Sequence, residues 1–433
     1  MRRVLFIAYL FPPIANSGTR RSLCFVNHLP DHGWQPLVLT VANPPADASD
    51  PALLAEVRPG TVIERAPLGS AVAAHRIASL VPSTERRAWI TAGLKWRFDK
   101  LANVPDQVAS WYPHAVSRGV ALFRETGFDV VYASGWPWTS FLIARAIARR
   151  TGCPYVLDYR DLWKPTGTHA WEYQTRAQAV FNPSLERRAA RRAAAIVTVT
   201  PTLAQLIRQN ANVERVHCIT NGYEPADFAF TATAGAEPVP DGLIRIAYTG
   251  VWRPGYGLAD LYQAIRQLKD AGSPAVRRLR VLAAGFTPGP AREFGVDDLV
   301  EELGPVTHER VLALMNAANV LYLPVPVGFY ARASLPGKLF EYLGSQRPIL
   351  AVVPAGSEVA RVVDDVGGSL RIEPGDHAAL ARVLAALCSG SIVDQFPIRR
   401  PERLVSYTRA ATTAMLASVL DAAQRRTTLE TLT

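Results

Sequence analysis

Residues 333–352, ASLPGKLFEYLGSQRPILAV, hold the strongest chemical signal in the chain. Pro336 and Gly337 make a loop that opens a helix, and Lys338 falls in its first turn. The free N–H groups of a helix start carry partial positive charge. With a lysine beside them they suit a diphosphate. Glu341 lies three residues on and shares the Lys338 face. A carboxylate there could accept two vicinal hydroxyls, as a ribose presents them. The same two residues also suit a surface i,i+3 ion pair worth ~0.3 kcal/mol.

Three other segments could do chemistry. In FPPIANSGTRR, residues 11–21, the backbone can bend at Asn16-Ser17-Gly18 and start a helix at Gly18. Its N–H groups would favour an anion, with Arg20 and Arg21 adding charge. A plain strand–helix turn reads the same way. The segments GWPWTS (135–140) and DYRDLW (158–163) offer the flat faces of Trp136, Trp138 and Trp163. Asp158, Arg160 and Asp161 add hydrogen bonds and charge, a mixture that suits a polyhydroxylated ligand such as a sugar. It equally suits an ion pair of Arg160 with Asp158 or Asp161, backed by core tryptophans. In YTGVWRPGYGLADL, residues 248–261, Gly250 ends a strand, Arg253 sits in the loop and Gly257 leads into a helix. This is phosphate-binding geometry again, or an ordinary surface loop.

Other chemistries lack their residues. There is no HExxH, no GxxxxGK[ST], no GxSxG and no basic stretch interleaved with aromatics. No metal, no cofactor and no nucleic-acid partner are expected.

These residues must be positioned by regular elements, and the patterning supplies them. Apolar strands at 4–9, 35–40, 130–133, 155–158 and 196–200 alternate with helices at 18–29, 139–150, 185–194 and 202–210. A second series places strands at 244–248, 280–284, 320–323 and 349–353. Its helices fall at 258–268, 309–318, 337–343, 358–363 and 377–387. Such alternation predicts an α/β protein of two doubly wound parallel sheets. The expected layout is a first domain at 1–225 with an insertion near 44–115, and a link at 226–242. A second domain at 243–404 and a C-terminal helix and tail at 405–433 complete it. The final helix could pack back on the first domain. Ligands of open α/β sheets bind beyond the carboxyl ends of the strands, so two such edges facing each other would make one deep site.

The composition agrees. With 433 residues, 49% hydrophobic and 19% charged, the chain is neither disordered nor fibrous. Four dispersed cysteines without a CxxC pair exclude a disulfide scaffold and suit a reducing, cytoplasmic compartment. Residues 1–225 hold 26 Lys and Arg against 16 Asp and Glu, and so carry the whole net charge of +10. That asymmetry suggests an anionic partner for that half: a membrane surface such as the inner face, a nucleic acid or a phosphorylated substrate. An Arg-rich proteome would explain it as well. The apolar run after Arg2 and Arg3 is cut by Pro12-Pro13 and reads as a first strand, not a signal peptide. The uncharged stretch 311–331 is broken by Pro324, Pro326 and Gly328 and does not read as a membrane span.

Taken together, the chain resembles the group 1 (family 4) glycosyltransferases with the GT-B fold, in a PGKLFEY variant. Five segments carry the resemblance, in order: VLFIAYLFPPIANSGTRRSLCFVNHLPDHGWQPLVLT, DVVYASGWPW, VLDYRDLW, ITNGYEPADF and LPGKLFEYLGSQRPILAVVPAGSEVA. The resemblance implies a nucleotide-diphosphate sugar as donor, held mainly by the second domain, with no metal required. Glu341 matches the second Glu of the family's E-x7-E signature, which binds the ribose. Lys338 and Arg253 would neutralise the diphosphate, with Gly250 and Gly337 beside them. Gly18 matches the glycine turn that approaches the donor phosphates. Arg160-Asp161 stands where many relatives have a His-Asp pair near the reacting sugar. Trp136, Trp138, Asp158 and Trp163 would face the acceptor, a glycan, a lipid-linked glycan or a small molecule, as in polysaccharide biosynthesis.

The chain also departs from the pattern. The first Glu position is Ala333, Val251 follows Gly250, and Tyr256 precedes Gly257. The family retains anomeric configuration, which implies a same-face displacement driven by electrostatics at the leaving diphosphate. Two other readings stay open: a non-catalytic GT-B partner of an active transferase, and a nucleotide-sugar epimerase.

Overall fold

The computed structural model describes residues 1–44, 49–69, 103–163, 175–231, 242–252, 257–328, 332–390 and 395–432. The chain divides into two compact units. The first is Met1–Thr220 with Thr412–Thr433, and the second is Asn221–Ala411.

Seven described strands form the first sheet: β1 (Arg2–Ala8), β2 (Trp34–Val41), β3 (Val62–Ala66), β4 (Val130–Gly135), β5 (Tyr155–Tyr159), β6 (Ala195–Thr198) and β7 (Val216–Cys218). They are parallel in the order β3-β2-β1-β4-β5-β6-β7. The central strands are apolar along their length because helices cover both faces, which leaves no wet side to alternate with. Val4 through Ile7 and Val130 through Ala133 are fully buried. Strand order reverses between β1 and β4, the place where such sheets take ligands.

Six described strands form the second sheet: β8 (Ile244–Thr249), β9 (Leu279–Ala284), β10 (Val300–Glu302), β11 (Val320–Pro324), β12 (Ile349–Val352) and β13 (Ser369–Ile372). Their order is β10-β9-β8-β11-β12-β13, again parallel, with the reversal between β8 and β11. The chain is thus a pair of parallel-sheet, Rossmann-like units.

The central strands and the helices that follow them stand where the patterning places them. The edge strands β3, β7, β10 and β13 are additions. Their sequences VIERA, VHC, VEE and SLRI are short and mix polar with apolar residues because an edge is partly wet. The helix expected at 185–194 runs instead over Arg176–Ala190. A capping box of Thr175 and Gln178 starts it early, with Pro183 inside it. The helix Tyr112–Thr126 was not expected either.

Entry into the second unit comes at Asn221, ahead of the expected link. Pro225–Thr231 is a helix, and Tyr223 and Phe228 belong to that unit's core. The rest of the link, 232–241, lies outside the described residues, as does 70–102 of the expected insertion. The C-terminal segment splits into helices Pro401–Val405 and Arg409–Leu432. The second of these joins the first unit from Thr412. Leu416, Val419 and Leu420 pack there with Phe25 and Trp34. Asp421 accepts a hydrogen bond from Trp34 Nε1 at 2.8 Å and pairs with Arg2 at 2.6 Å. Among the described residues, no helix is long and apolar enough to cross a membrane.

Candidate functional site

The second unit's switch point is built from glycines and tyrosines. Gly250 follows β8 with φ +152°, a conformation that a side chain disfavours. Its N–H donates to Ala284 O at 2.8 Å. Gly285, φ +105°, follows β9 so closely that an added Cβ would lie 2.7 Å from Gly250 O. Tyr248 Oη donates to Val251 O at 2.8 Å and fixes the next peptide of the turn.

Lys338 reaches this turn from the helix Gly337–Gly344. Pro336 at the N-cap offers no side chain to cap the first N–H groups. Tyr342, one turn along, accepts from Thr249 N–H at 2.9 Å and ties the helix to the end of β8. Burial pushes the Tyr342 phenol up to about 12. The Lys338 ammonium lies 4.2 Å from the centre of the Tyr248 ring, a cation–π contact. It sits over Gly250, where an added Cβ would approach it to 2.9 Å. Burial pushes the Lys338 amine down to about 7, and no carboxylate among the described residues offsets this. The i,i+3 pair with Glu341 is therefore not formed, although Glu341 is half-buried on the same helix. Gly337 is exposed and Ala333 is fully buried. Arg253 lies outside the described residues.

In the first unit, Arg160 occupies the switch point. Its Nε donates to Gly135 O at 2.7 Å and its Nη2 to Trp136 O at 2.6 Å. An added Cβ on Gly18 would lie 1.7 Å from Arg160 Nη1. Gly18 is thus the one residue type that leaves room for the guanidinium. Asn16 caps the helix there by accepting from Gly18 N–H at 2.9 Å. Asp161 adjoins Arg160; burial raises its carboxyl pKa, against the lowering effect of Arg160.

Three expected acceptor residues prove to be interior. Asp158 is fully buried and bound at both oxygens by Arg21, Nε to Oδ2 and Nη2 to Oδ1, each at 2.9 Å. Against the cost of burial, Asp158 raises the Arg21 pKa. Arg21 Nη1 also donates to Thr220 O at 3.0 Å. Trp138 and Trp163 stack on each other, 5.4 Å apart and 7° from parallel, and both are buried. Their flat faces are spent on packing, and of the expected aromatic platform only Trp136 stays half-buried. The ion pair considered from sequence also changes partner, since Asp158 binds Arg21 and not Arg160.

Tyr248 and Tyr342 were not singled out from the sequence. The one available signal was their placement: Tyr248 two residues before the strand-ending Gly250, Tyr342 one turn after the helix start. Among the described residues, no group of three or more His, Cys, Asp or Glu could hold a metal ion.

Comparisons with known proteins bear on the same regions. Residues 18–222 match the family described as Glycosyl transferase 4-like domain. The chain is 31% identical over 74 residues to the probable glycosyltransferase WbjE of Pseudomonas aeruginosa, covering 17% of this chain and 18% of that protein. It is 26% identical over 244 residues to D-inositol 3-phosphate glycosyltransferase of Corynebacterium efficiens, covering 52% and 55%. The chain therefore spans about a fifth of one of these curated relatives and about half of the other.

Among solved structures, sucrose-phosphate synthase from Thermosynechococcus elongatus superposes with TM-score 0.54 at 15% identity, over 100% of this chain and 99% of that one. The α,α-trehalose-phosphate synthase (UDP-forming) from Burkholderia xenovorans gives 0.58 at 13%, over 97% and 100%. At that identity the likeness concerns the fold. The chain is an α/β protein of two Rossmann-like units with GT-B neighbours, and its first unit matches the glycosyl transferase 4-like domain.

Proposed function

We propose that the protein is a glycosyltransferase that moves a sugar from a nucleotide-diphosphate donor to a glycan, lipid-linked or small-molecule acceptor, with retention of configuration. One observation carries the reading. At the second unit's switch point, an ammonium without a carboxylate partner among the described residues sits over a glycine turn. A half-buried cation left unneutralised costs stability, and an anionic ligand would remove that cost. The helix start beside it and the bare backbone at Gly250 add donors to the same corner. Glu341 would take the ribose hydroxyls, and Arg253 would add a second cation. In the first unit, Trp136, Arg160 and Asp161 would meet the acceptor and the sugar.

The reaction proposed is the one that the family resemblance implies. An acceptor hydroxyl oxygen bonds to the anomeric carbon on the face from which the diphosphate leaves. The anomeric C–O bond breaks, its electron pair stays on the diphosphate, and that group takes the acceptor's proton. Charge grows on the leaving phosphate, where Lys338 and the helix start would stabilise it. Fully buried Ala333, in place of a sugar-contacting carboxylate, favours the second reading, a non-catalytic partner of an active transferase. A thermal-shift panel of nucleoside diphosphates and nucleotide sugars, followed by donor turnover, tests both. Stabilisation by a diphosphate with turnover supports transfer. Stabilisation without turnover on any acceptor supports the partner reading, and no stabilisation removes both.

A further inference from the structure

We infer that the helix Arg176–Ala190 of the first unit docks on an anionic lipid bilayer, with Val180 and Phe181 entering the interface and arginines lying on the headgroups. This stands apart from the sugar-transfer reading and rests on one surface. At 3.6 residues per turn, Arg176, Val180, Arg187 and Arg191 fall in one row and Phe181, Arg188 and Arg192 in the next. All seven are exposed, Val180 at 69% and Phe181 at 50%. The opposite face, Gln178, Asn182, Glu186, Ala189 and Ala190, is the buried one.

An outward face of a soluble helix normally mixes both signs of charge. This one carries none of the negative sign, because Glu186, the helix's one acidic residue, is buried. Among the described residues, Arg187, Arg188, Arg191 and Arg192 pair with no carboxylate; Arg187 Nε turns to Pro183 O at 3.2 Å. Two exposed apolar side chains lie beside them. Apolar residues and arginines on one outward face are what a bilayer interface binds. Arg191 also borders a recess of about 360 Å³ with Asn212, Glu214 and Arg215, roomy enough for a phosphate headgroup. A nucleic acid would use the arginines but gain little from Val180.

Co-sedimentation of the full chain with vesicles of equal parts phosphatidylglycerol and phosphatidylcholine tests this. The protein is expected to pellet with these vesicles at low salt, weakly at high salt, and not with phosphatidylcholine alone. Each arginine is worth about fivefold in partitioning, so Arg187→Gln with Arg191→Gln should lower it roughly thirtyfold. Val180→Ser with Phe181→Ser should lower it about tenfold and remove the salt-resistant remainder. Because these side chains are exposed, both variants should melt like the wild type. Equal pelleting with neutral vesicles, variants that pellet like the wild type, or capture by RNA in place of vesicles each overturns the inference.

Discussion

Lys338 and Tyr248 meet face-on, ammonium to ring centre at 4.2 Å. The ring takes the place of a carboxylate, holding the cation without neutralising it. The lysine stays available to an anion.

Lys338→Met tests that relationship. The methionine keeps the volume and loses the charge. Nucleoside diphosphate affinity and turnover should each fall about a hundredfold, as for loss of one preorganised contact to developing charge. Stability should rise, since a half-buried, unneutralised charge is gone. A melting-temperature gain of roughly 2–4 °C per kcal/mol is expected for units of this size. Arg253→Ala should cost less turnover than Lys338→Ala. Equal, small effects from both place the diphosphate elsewhere.

The pH dependence has a definite sign. The Lys338 amine sits near 7 in the folded protein against an ordinary 10.5. Between those values the unfolded chain binds more protons, so this group makes stability rise with pH across the window. Its penalty is full below about 7 and gone above 10.5. A bound diphosphate draws the proton back, so affinity should fall as pH climbs above 7, by at most about tenfold per pH unit. Calorimetry at mildly alkaline pH in two buffers of different ionisation heat should show uptake of nearly one proton by the wild type and none by Lys338→Met. Equal uptake by both removes Lys338 from the site.

Glu341→Ala should weaken nucleotide binding by roughly tenfold to a hundredfold, as expected for hydrogen bonds to a charged group, with the melting temperature little changed. A nucleotide lacking both ribose hydroxyls supplies the control. Wild type should discriminate against it and the variant should not. Discrimination kept in Glu341→Ala would dismiss the ribose role.

Gly18→Ala should displace the Arg160 guanidinium, since the new Cβ would overlap it. Overpacking of this kind costs about 1–3 kcal/mol. Urea unfolding should show that loss in Gly18→Ala and much less of it in Gly18→Ala with Arg160→Ala. A single variant as stable as the wild type would show that Arg160 moves freely.

Asp158→Asn leaves the Arg21 charge buried without its carboxylate, at a cost of about 3–5 kcal/mol. Arg21→Met with Asp158→Leu should recover most of it. If Asp158→Asn unfolds like the wild type, water reaches the pair and its interior character is mistaken.

The parts of this molecule legible in sequence are those set by neighbours along the chain. Val4–Ile7 and Val130–Ala133 are unbroken apolar runs because both sheet faces are covered, and such runs mark strands directly. The Pro336-Gly337-Lys338 helix start was legible for the same reason. Contacts across distance were not. Arg21 and Asp158 are 137 residues apart, and no spacing rule joins them. Trp138 and Trp163 read as ligand platforms from composition, whereas their stacking depends on where β4 and β5 end. Lys338 could be placed on its helix, but its meeting with Tyr248 depends on the β8–β11 reversal.

The return of the last helix to the first unit has a consequence for synthesis. The second unit is one uninterrupted stretch, Asn221–Ala411, inserted in the first. Its two ends are stitched together, Tyr223 N–H to Tyr407 O at 3.0 Å and Arg409 N–H to Tyr223 O at 2.9 Å. It can therefore fold as soon as it leaves the ribosome. The first unit cannot, because Leu416 and Leu420 complete its core and follow the second unit in the chain. Residues 1–220 must therefore wait for a helix that lies beyond the whole second unit, and a chain cut after residue 411 would carry a finished guest in an unfinished host.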